Sequence, residues 1–183
     1  FLEDHLFEIP QYDRHGFDPV QIISSGPDSQ TKTIHDNYLH LIHSARNHVY
    51  IQTPYFIPDA SILDALKIAS RSGVDVRIMI PCKPDHPFVY WANLGYAGEV
   101  LNYGVKIYHY DKDAFLHAKT VVIDDEVCSV GTANMDTRSF ELNFEVNAII
   151  YSEEIAKQQK NQFEADILKS TELTLTDYKN RST

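Results

Sequence analysis

Two strand-like segments joined by a short acidic turn constrain the fold of this chain more than any other feature. Residues 115–123, FLHAKTVVI, are rich in Phe, Val and Ile and contain neither Gly nor Pro, which predicts a β-strand. Asp124-Asp125-Glu126 supplies polar turn residues, and residues 127–134 predict a returning strand. The two segments therefore predict an antiparallel hairpin inside a larger sheet, and the sequence leaves its register open.

One face of this hairpin collects polar side chains. Side chains alternate along a strand, so His117 and Lys119 share a face and lie roughly 6.6 Å apart along it. We expect Thr132 and Asn134 of the returning strand to lie on the same face. An imidazole, an ammonium group, a hydroxyl and a carboxamide suit a phosphoryl group, because they offer a nucleophile, a cation and neutral hydrogen-bond donors.

A third strand adds a carboxylate. Residues 144–151, FEVNAIIY, are apolar except for Glu145 and Asn147, and a carboxylate in such a run is costly unless it is paired. An imidazole that presents one nitrogen to a substrate needs its other N–H held in place. Glu145 is therefore the candidate that orients His117.

Each of these residues also has an ordinary structural interpretation. A lone His117 could be a core histidine, and Thr132 and Asn134 could be a strand former and a turn residue. Glu145 could form a structural ion pair with Lys119. A lysine on the buried side of a sheet is costly without an anionic partner, so the residues taken together favour phosphoryl chemistry.

Elsewhere strands and helices alternate. The first three predicted strands, 20–24, 48–56 and 74–81, are separated by helices and imply a parallel core with helices on its faces. The predicted fold class is therefore α/β, with a mixed, mostly parallel central sheet between helices. We divide the chain into a linker or arm (1–19), a catalytic domain (20–171) and a polar C-terminal tail (172–183) that frays.

The end of the second strand offers further pocket residues. Functional sites in such sheets gather at the strand ends, so Gln52 and Tyr55 are candidates for substrate binding, with Thr53 between them. The alternative, that Thr53-Pro54-Tyr55 is simply a turn, has equal weight.

The predicted helix at 85–103 carries a cluster of aromatic residues. Phe88, Tyr90 and Trp91 are too close together in sequence to face one side of a helix. One or two of them could be exposed to lipid or to a partner domain.

The charge and the length exclude some functions. A formal net charge of −10 argues against binding to duplex nucleic acid. The same negative charge disfavours binding to anionic lipid, unless a local basic patch or a positively charged neighbouring segment attracts the lipid. No apolar run approaches the roughly 18 residues of a spanning helix. The chain begins at Phe1 and not at Met, so we expect a soluble piece of a longer protein.

The spacing of these residues matches a known family. HAKTVVID followed by GTAN has the form H-x-K-x4-D-x6-G-[S/T]-x-N, which resembles the phospholipase D superfamily. The strings QTPYFIPD, PDHPFVYW and RSFELNFE resemble bacterial cardiolipin synthases more narrowly, and in particular their C-terminal catalytic half. The resemblance covers the chain from about residue 20 to its end.

The resemblance implies a double displacement without metal or another cofactor. His117, or its counterpart in another half, attacks phosphorus to give a phosphohistidine, and the other histidine protonates the leaving alcohol. Lys119 and Asn134, with Thr132, stabilise the non-bridging oxygens. Asp124 belongs to the family's catalytic signature, but its position near the hairpin turn predicts a structural role.

The chain contains a single H-x-K sequence, whereas the implied mechanism needs two histidines. The piece is therefore half of a longer chain or one protomer of a symmetric dimer. For cardiolipin synthases the resemblance implies two halves in one membrane protein, with this domain on the cytoplasmic side of the cell membrane. The implied substrate is the anionic phospholipid phosphatidylglycerol, with no role for nucleic acid. The alternatives are a dimeric phosphodiesterase acting on phospholipid or nucleic acid, and a non-catalytic lipid-binding half.

Overall fold

The computed structural model describes residues 18–83 and 87–180, and within them a sheet of eight strands lies between helices. A two-stranded sheet formed by β3 and β8 lies beside it. In chain order the elements are β1 (Val20–Ser25), α1 (Thr33–Ser44), β2 (His48–Gln52), β3 (Phe56–Ile57), α2 (Ala60–Arg71), β4 (Asp75–Ile80), α3 (Pro87–Leu101), β5 (Lys106–His109), β6 (Thr120–Ile123), β7 (Val127–Gly131), β8 (Met135–Asp136), α4 (Thr137–Glu141), β9 (Glu145–Ile150), α5 (Glu153–Ile167), β10 (Thr171–Leu173) and α6 (Leu175–Asn180).

The order of strands in the large sheet is β1-β9-β7-β6-β2-β4-β5-β10. The β2–β4 and β4–β5 pairs are parallel, and the other five neighbouring pairs are antiparallel. The predicted mixed α/β fold with a sheet between helices is confirmed, but the expectation of a mostly parallel sheet is wrong. The reason is that β6, β7 and β9 insert as antiparallel strands between β1 and β2.

Alternation along the strands builds a core on each side of the sheet. Ile51 and Ile78 face the larger core, which α1, α2 and α3 help to build, and both are fully buried. Tyr50 and Met79, one position along, face a smaller core that includes Phe163 of α5. The helices therefore cover both faces, and the edges of the sheet remain for the functional residues.

The hairpin of β6 and β7 has the predicted turn, but its first strand is shorter than predicted. Ile123 pairs with Val127, so the turn consists of Asp124, Asp125 and Glu126. Asp124 and Asp125 both have positive φ, at 54° and 59°, a conformation that aspartate tolerates better than most residues do. The first strand begins only at Thr120, because residues 115–119 are irregular.

The segment after α5 was expected to be a fraying tail, and the structure contradicts this. Residues 171–173 form β10, which pairs antiparallel with β5 and buries Leu173 in the larger core. The Tyr178 ring lies directly against Gly98 of α3, where a side chain would overlap it. These two apolar contacts hold the segment in place. The predicted arm falls largely on residues 1–17, which lie outside the described residues.

The end of β7 comes unusually close to β9. A Cβ atom at Gly131 would overlap the Asn147 side chain and lie 2.5 Å from the Val146 carbonyl oxygen. Gly131 also pairs with Asn147 across the two strands. A glycine is therefore needed at this position, because a side chain would keep the end of β7 from approaching β9 so closely.

We predict that Gly131→Ala lowers the free energy of unfolding by about 1–3 kcal/mol, because a backbone oxygen cannot move away as a flexible side chain can. Urea unfolding of the 183-residue chain measures the change. The control is Gly95→Ala, since a Cβ atom there meets nothing within 4 Å, and in helix α3 alanine is favoured over glycine by about 1 kcal/mol. Equal stability of the two variants would contradict the close approach.

Candidate active site

One edge of the large sheet brings together the residues singled out from the sequence. The pairing of Gln52 with Thr120 and of Gly131 with Asn147 places the ends of β2 and β7 beside the beginnings of β6 and β9. The backbone N–H of Gly131 donates to the Lys119 carbonyl at 3.3 Å, which extends the hairpin by one step. The segments 117–119, 131–134 and 145–147 therefore meet at this edge.

His117 and Lys119 lie in the irregular segment just before β6. His117 is exposed and its ring stacks on Phe115, with centroids 5.6 Å apart. The Lys119 ammonium group donates to the His117 carbonyl at 2.9 Å, which fixes the spacing between the two residues. The predicted regular strand face does not form here, and the residues converge through loops instead.

A buried network under the edge holds the loop after β7. Asn147, 1% exposed, donates from Nδ2 to the Tyr38 hydroxyl at 2.7 Å and to Ser129 Oγ at 3.0 Å. Its Oδ1 accepts from the backbone N–H of Ala133 at 3.3 Å. Burial raises the pKa of Tyr38, so its phenol stays neutral. Asn147, the polar residue predicted in the third strand, thus has hydrogen-bond partners for its amide group, and it positions the backbone next to Asn134.

Thr132 and Asn134 are placed by different contacts. Thr132 Oγ1 accepts from the backbone N–H of Val146 at 2.9 Å, so its hydroxyl is engaged with β9. The backbone N–H of Asn134 donates to Ser139 Oγ at 3.1 Å. Asn134 Oδ1 is buried and has no hydrogen-bond partner among the residues described. Asn134, and not Thr132, therefore has polar capacity left for a ligand.

Glu145 does not contact His117 as predicted. Within the described part of the chain its carboxylate accepts one hydrogen bond, from Asn143 Nδ2 at 3.1 Å, and it enters no described ion pair. The structural alternative, an ion pair with Lys119, is likewise not formed. Glu145 begins β9 at the same edge, so the role of orienting His117 stays a prediction.

Two cavities lie beside these residues, each of about 460 Å³. Thr132 and Glu145 line the first, together with Phe144, which is 74% exposed. Asn134, Arg138 and Asn143 line the second, whose apolar wall includes Tyr55, Ile57 and Val89. Asn143 of the second cavity donates a hydrogen bond to Glu145 of the first, so the walls of the two cavities are in contact. Both volumes fall in the range of roughly 300–1,000 Å³ that is typical of small-molecule sites.

Comparison with known proteins gives the family. The profile of the family described as cardiolipin synthase, phospholipase D-like domain, matches residues 38–167. This chain belongs to that family. Over 180 residues it is 57% identical to a cardiolipin synthase of Staphylococcus aureus, which covers 98% of this chain and 36% of that protein. It is 55% identical to the major cardiolipin synthase ClsA of Bacillus subtilis, over 99% of this chain and 37% of that protein.

Solved structures share the fold at low sequence identity. The phospholipase D family member Nuc of Salmonella typhimurium matches 86% of this chain and 99% of its own, with a TM-score of 0.71 and 20% identity. The phosphatidylserine synthase of Haemophilus influenzae matches 90% of this chain and 41% of its own, with a TM-score of 0.70 and 17% identity. The chain spans about a third of the length of the curated cardiolipin synthases that it matches.

Asp124, the third residue of the family signature, lies at the opposite end of the hairpin from His117. Its carboxylate accepts backbone N–H bonds from Arg46, Asn47 and His48 at 2.6, 2.8 and 2.7 Å. These bonds tie the hairpin turn to the start of β2. These contacts place Asp124 in the frame that supports the site, and a catalytic role for it, which the family signature implies, stays a prediction.

Gln52 and Tyr55, the two residues predicted from the end of β2, lie in different surroundings. Tyr55 lines the second cavity. Gln52 is 5% exposed and donates from Nε2 to Asp166 of α5 at 2.9 Å, while its Oε1 accepts from Thr120 at 3.2 Å. Alternation along β2 turns Gln52 toward α5, and substrate binding by this residue stays a prediction.

Reasoning from the sequence also missed polar residues of the second cavity. Arg138 and Asn143 lie within the string RSFELNFE, but neither was assigned a role because neither follows a strand. Arg138 lies in α4 and Asn143 just after it, and both line the cavity. The arginine in an otherwise apolar and acidic surrounding was the available signal.

The aromatic residues of α3 divide as the sequence suggested. Phe88 and Trp91 are 80% and 60% exposed, whereas Tyr90 packs against the larger core. Val89, between them, lines the second cavity. An exposed aromatic surface therefore adjoins one wall of that cavity.

Burial lowers the pKa of His109, at the end of β5, so this imidazole is neutral at pH 7. Across residues 18–83 and 87–180, the acidic, histidine and cysteine side chains form no cluster of three that could hold a metal ion. The helices in those ranges are also too short or too polar to cross a bilayer.

We predict that Asp124→Asn lowers the free energy of unfolding by about 1–3 kcal/mol, because the new amide nitrogen faces a backbone N–H instead of accepting from it. Asparagine tolerates positive φ as aspartate does, so the change isolates the carboxylate. Urea unfolding of the chain gives the value. Glu126→Gln, the same chemical change at an exposed residue of the same turn, is the control. If both variants lose equally little, the anchor is unimportant.

Proposed function

We propose that this chain is the C-terminal catalytic half of a cardiolipin synthase. The complete protein transfers a phosphatidyl group from one phosphatidylglycerol to another and gives cardiolipin and glycerol. The observation that carries the proposal is an H-x-K pair at the functional edge of the sheet, in a chain 57% identical to a cardiolipin synthase along 98% of its length. A second H-x-K half completes the site.

In the first step, an imidazole nitrogen of His117 attacks the phosphorus of the donor lipid. The bond from phosphorus to the glycerol oxygen breaks, and the histidine of the second half gives this oxygen a proton. In the second step the same histidine takes the proton from a hydroxyl of the acceptor lipid. That oxygen attacks the phosphohistidine, and the bond to His117 breaks. The two histidines can exchange these roles.

Lys119 and Asn134 serve the phosphoryl oxygens in this scheme. Lys119 supplies a positive charge two residues from the nucleophile, held by its bond to the His117 carbonyl. Asn134 offers a neutral amide at the mouth of the second cavity. Fixed donors of this kind stabilise the charge that develops on phosphorus oxygens in the transition state.

The exposure of the site supports a second half. His117 is exposed, and Phe115, which stacks on it, is 51% exposed. Phe144, which lines the first cavity, is 74% exposed. Apolar rings around a nucleophile are typical of a surface that another domain covers. We infer that the second half belongs to the same longer polypeptide, which holds the domain on the cytoplasmic side of the cell membrane.

We predict that His117→Asn in the complete protein abolishes cardiolipin formation, since asparagine cannot form the phosphohistidine. Synthesis from phosphatidylglycerol measures turnover, and mass spectrometry of the trapped protein detects the phosphorylated imidazole. The control is His43→Asn, the same change at an exposed histidine of α1. Retention of more than a few per cent of the activity by the His117 variant would remove this residue from the mechanism.

We also predict that the 183-residue chain alone, as a monomer, does not turn over phosphatidylglycerol, because one H-x-K pair supplies one of the two histidines. Light scattering establishes the monomer and lipid analysis measures turnover. Adding the second half as a separate chain restores activity if the two associate. Robust turnover by a proven monomer contradicts the two-histidine scheme, and hydrolysis without transfer would favour a phosphodiesterase.

A further inference from the structure

The second cavity contains a cation that the proposed chemistry at phosphorus does not use. Arg138 lines this cavity with Asn134 and Asn143. Its backbone carbonyl accepts from the N–H groups of Leu142 and Asn143 at 2.8 and 3.0 Å. The backbone of Arg138 is therefore fixed, while its side chain is exposed.

The Arg138 guanidinium has no hydrogen bond or ion pair with any residue that the structure describes. Glu141, one turn later on α4, is occupied by Lys32 at 2.5 Å. Asp136 also lines the cavity, but it is 5% exposed and its Oδ1 accepts from the backbone N–H of Ser139. The accessible charge in the cavity is thus the arginine, whose planar fork of donors suits a phosphate group.

The cavity is also next to the proposed reaction centre. Asn134 belongs to both, and Asn143 donates to Glu145 at 3.1 Å. The Oδ1 of Asn134 is buried and has no donor among the described residues, so the amide of this cavity-lining residue keeps an unused acceptor. A molecule in this cavity can therefore present a hydroxyl at Asn134 and an anion at Arg138.

We propose that Arg138 binds the phosphodiester of the acceptor phosphatidylglycerol and so makes this lipid, rather than a simple alcohol or water, the preferred acceptor. This inference rests on the proposed function. The acceptor carries its own phosphodiester, a few bonds from the attacking hydroxyl, and this anion takes no part in the exchange. In a chain with a net charge of −10, an unpaired arginine offsets the repulsion that a second phosphate meets. The apolar wall of Tyr55, Ile57 and Val89 accommodates its carbon chain.

The test compares two acceptors for the same donor in the complete protein. Cardiolipin formation from phosphatidylglycerol requires a lipid acceptor, whereas formation of phosphatidylethanol in the presence of ethanol requires only a neutral alcohol. We expect Arg138→Gln to lower cardiolipin formation by about tenfold or more, because an arginine–phosphate pair is lost. Phosphatidylethanol formation changes by less than about twofold, since ethanol has no phosphate for Arg138 to hold.

Two further variants separate acceptor binding from general effects. Lys32→Gln removes an equally exposed cation at the same corner, already paired with Glu141, and leaves the ratio of the two products unchanged. Arg138→Lys keeps the charge and restores part of the cardiolipin formation. Thermal unfolding of each variant establishes that the proteins remain folded.

The possible failures are distinct. An equal loss of both products in Arg138→Gln would assign the arginine to the reacting phosphate, and no loss of either product would show that it does not bind the acceptor. Either result overturns the inference but leaves the proposed function intact. If the unmodified protein forms neither product and only hydrolyses the lipid, the proposed function fails and the inference fails with it.

Discussion

The anchoring of one hairpin turn determines where the functional residues lie. The Asp124 carboxylate accepts three backbone N–H groups at the start of β2, and this fixes the hairpin of β6 and β7 in the middle of the sheet. Asp125, beside it, pairs with Lys160 of α5 at 2.9 Å. Because strands have a fixed rise per residue, anchoring one end of β6 sets the position of Thr120 at the other end, three residues after His117. A signature residue far from His117 thus fixes the strand that follows it.

Local sequence patterns predicted most elements of the fold, because caps and hydrophobic periods act over a few residues. Asp59 and Ser152 cap α2 and α5 through side-chain bonds to Ile62 and Ile155, as polar residues at helix starts do. The order of the strands could not be predicted in the same way. Nothing in β9 itself indicates that it lies between β1 and β7, since such pairing depends on contacts between residues distant in sequence.

The site was predictable in composition but not in geometry. His117, Lys119 and Asn134 stand out because their residue types at that spacing suit a phosphoryl group, and they do gather at one edge. Their arrangement depends on where regular structure stops. The strand predicted to carry His117 begins only three residues after it, at Thr120. The direction of the Gln52 side chain was not predictable for a related reason, since it depends on which face of β2 the residue occupies.

An exposed nucleophile has consequences for the reaction. A phosphohistidine formed at the open edge of the isolated domain would meet water, and water is an acceptor that needs no binding site. Transfer to a lipid succeeds only if the second acceptor is held in place before water arrives and if the edge is covered. The fold contributes both to holding the acceptor and to covering the edge. The cavity with Arg138 and Asn134 can hold an anionic acceptor, and the rings of Phe115 and Phe144 offer an apolar rim to a covering half. Under the proposed mechanism, the choice between synthesis and hydrolysis therefore depends on acceptor binding and closure more than on the residues that contact phosphorus.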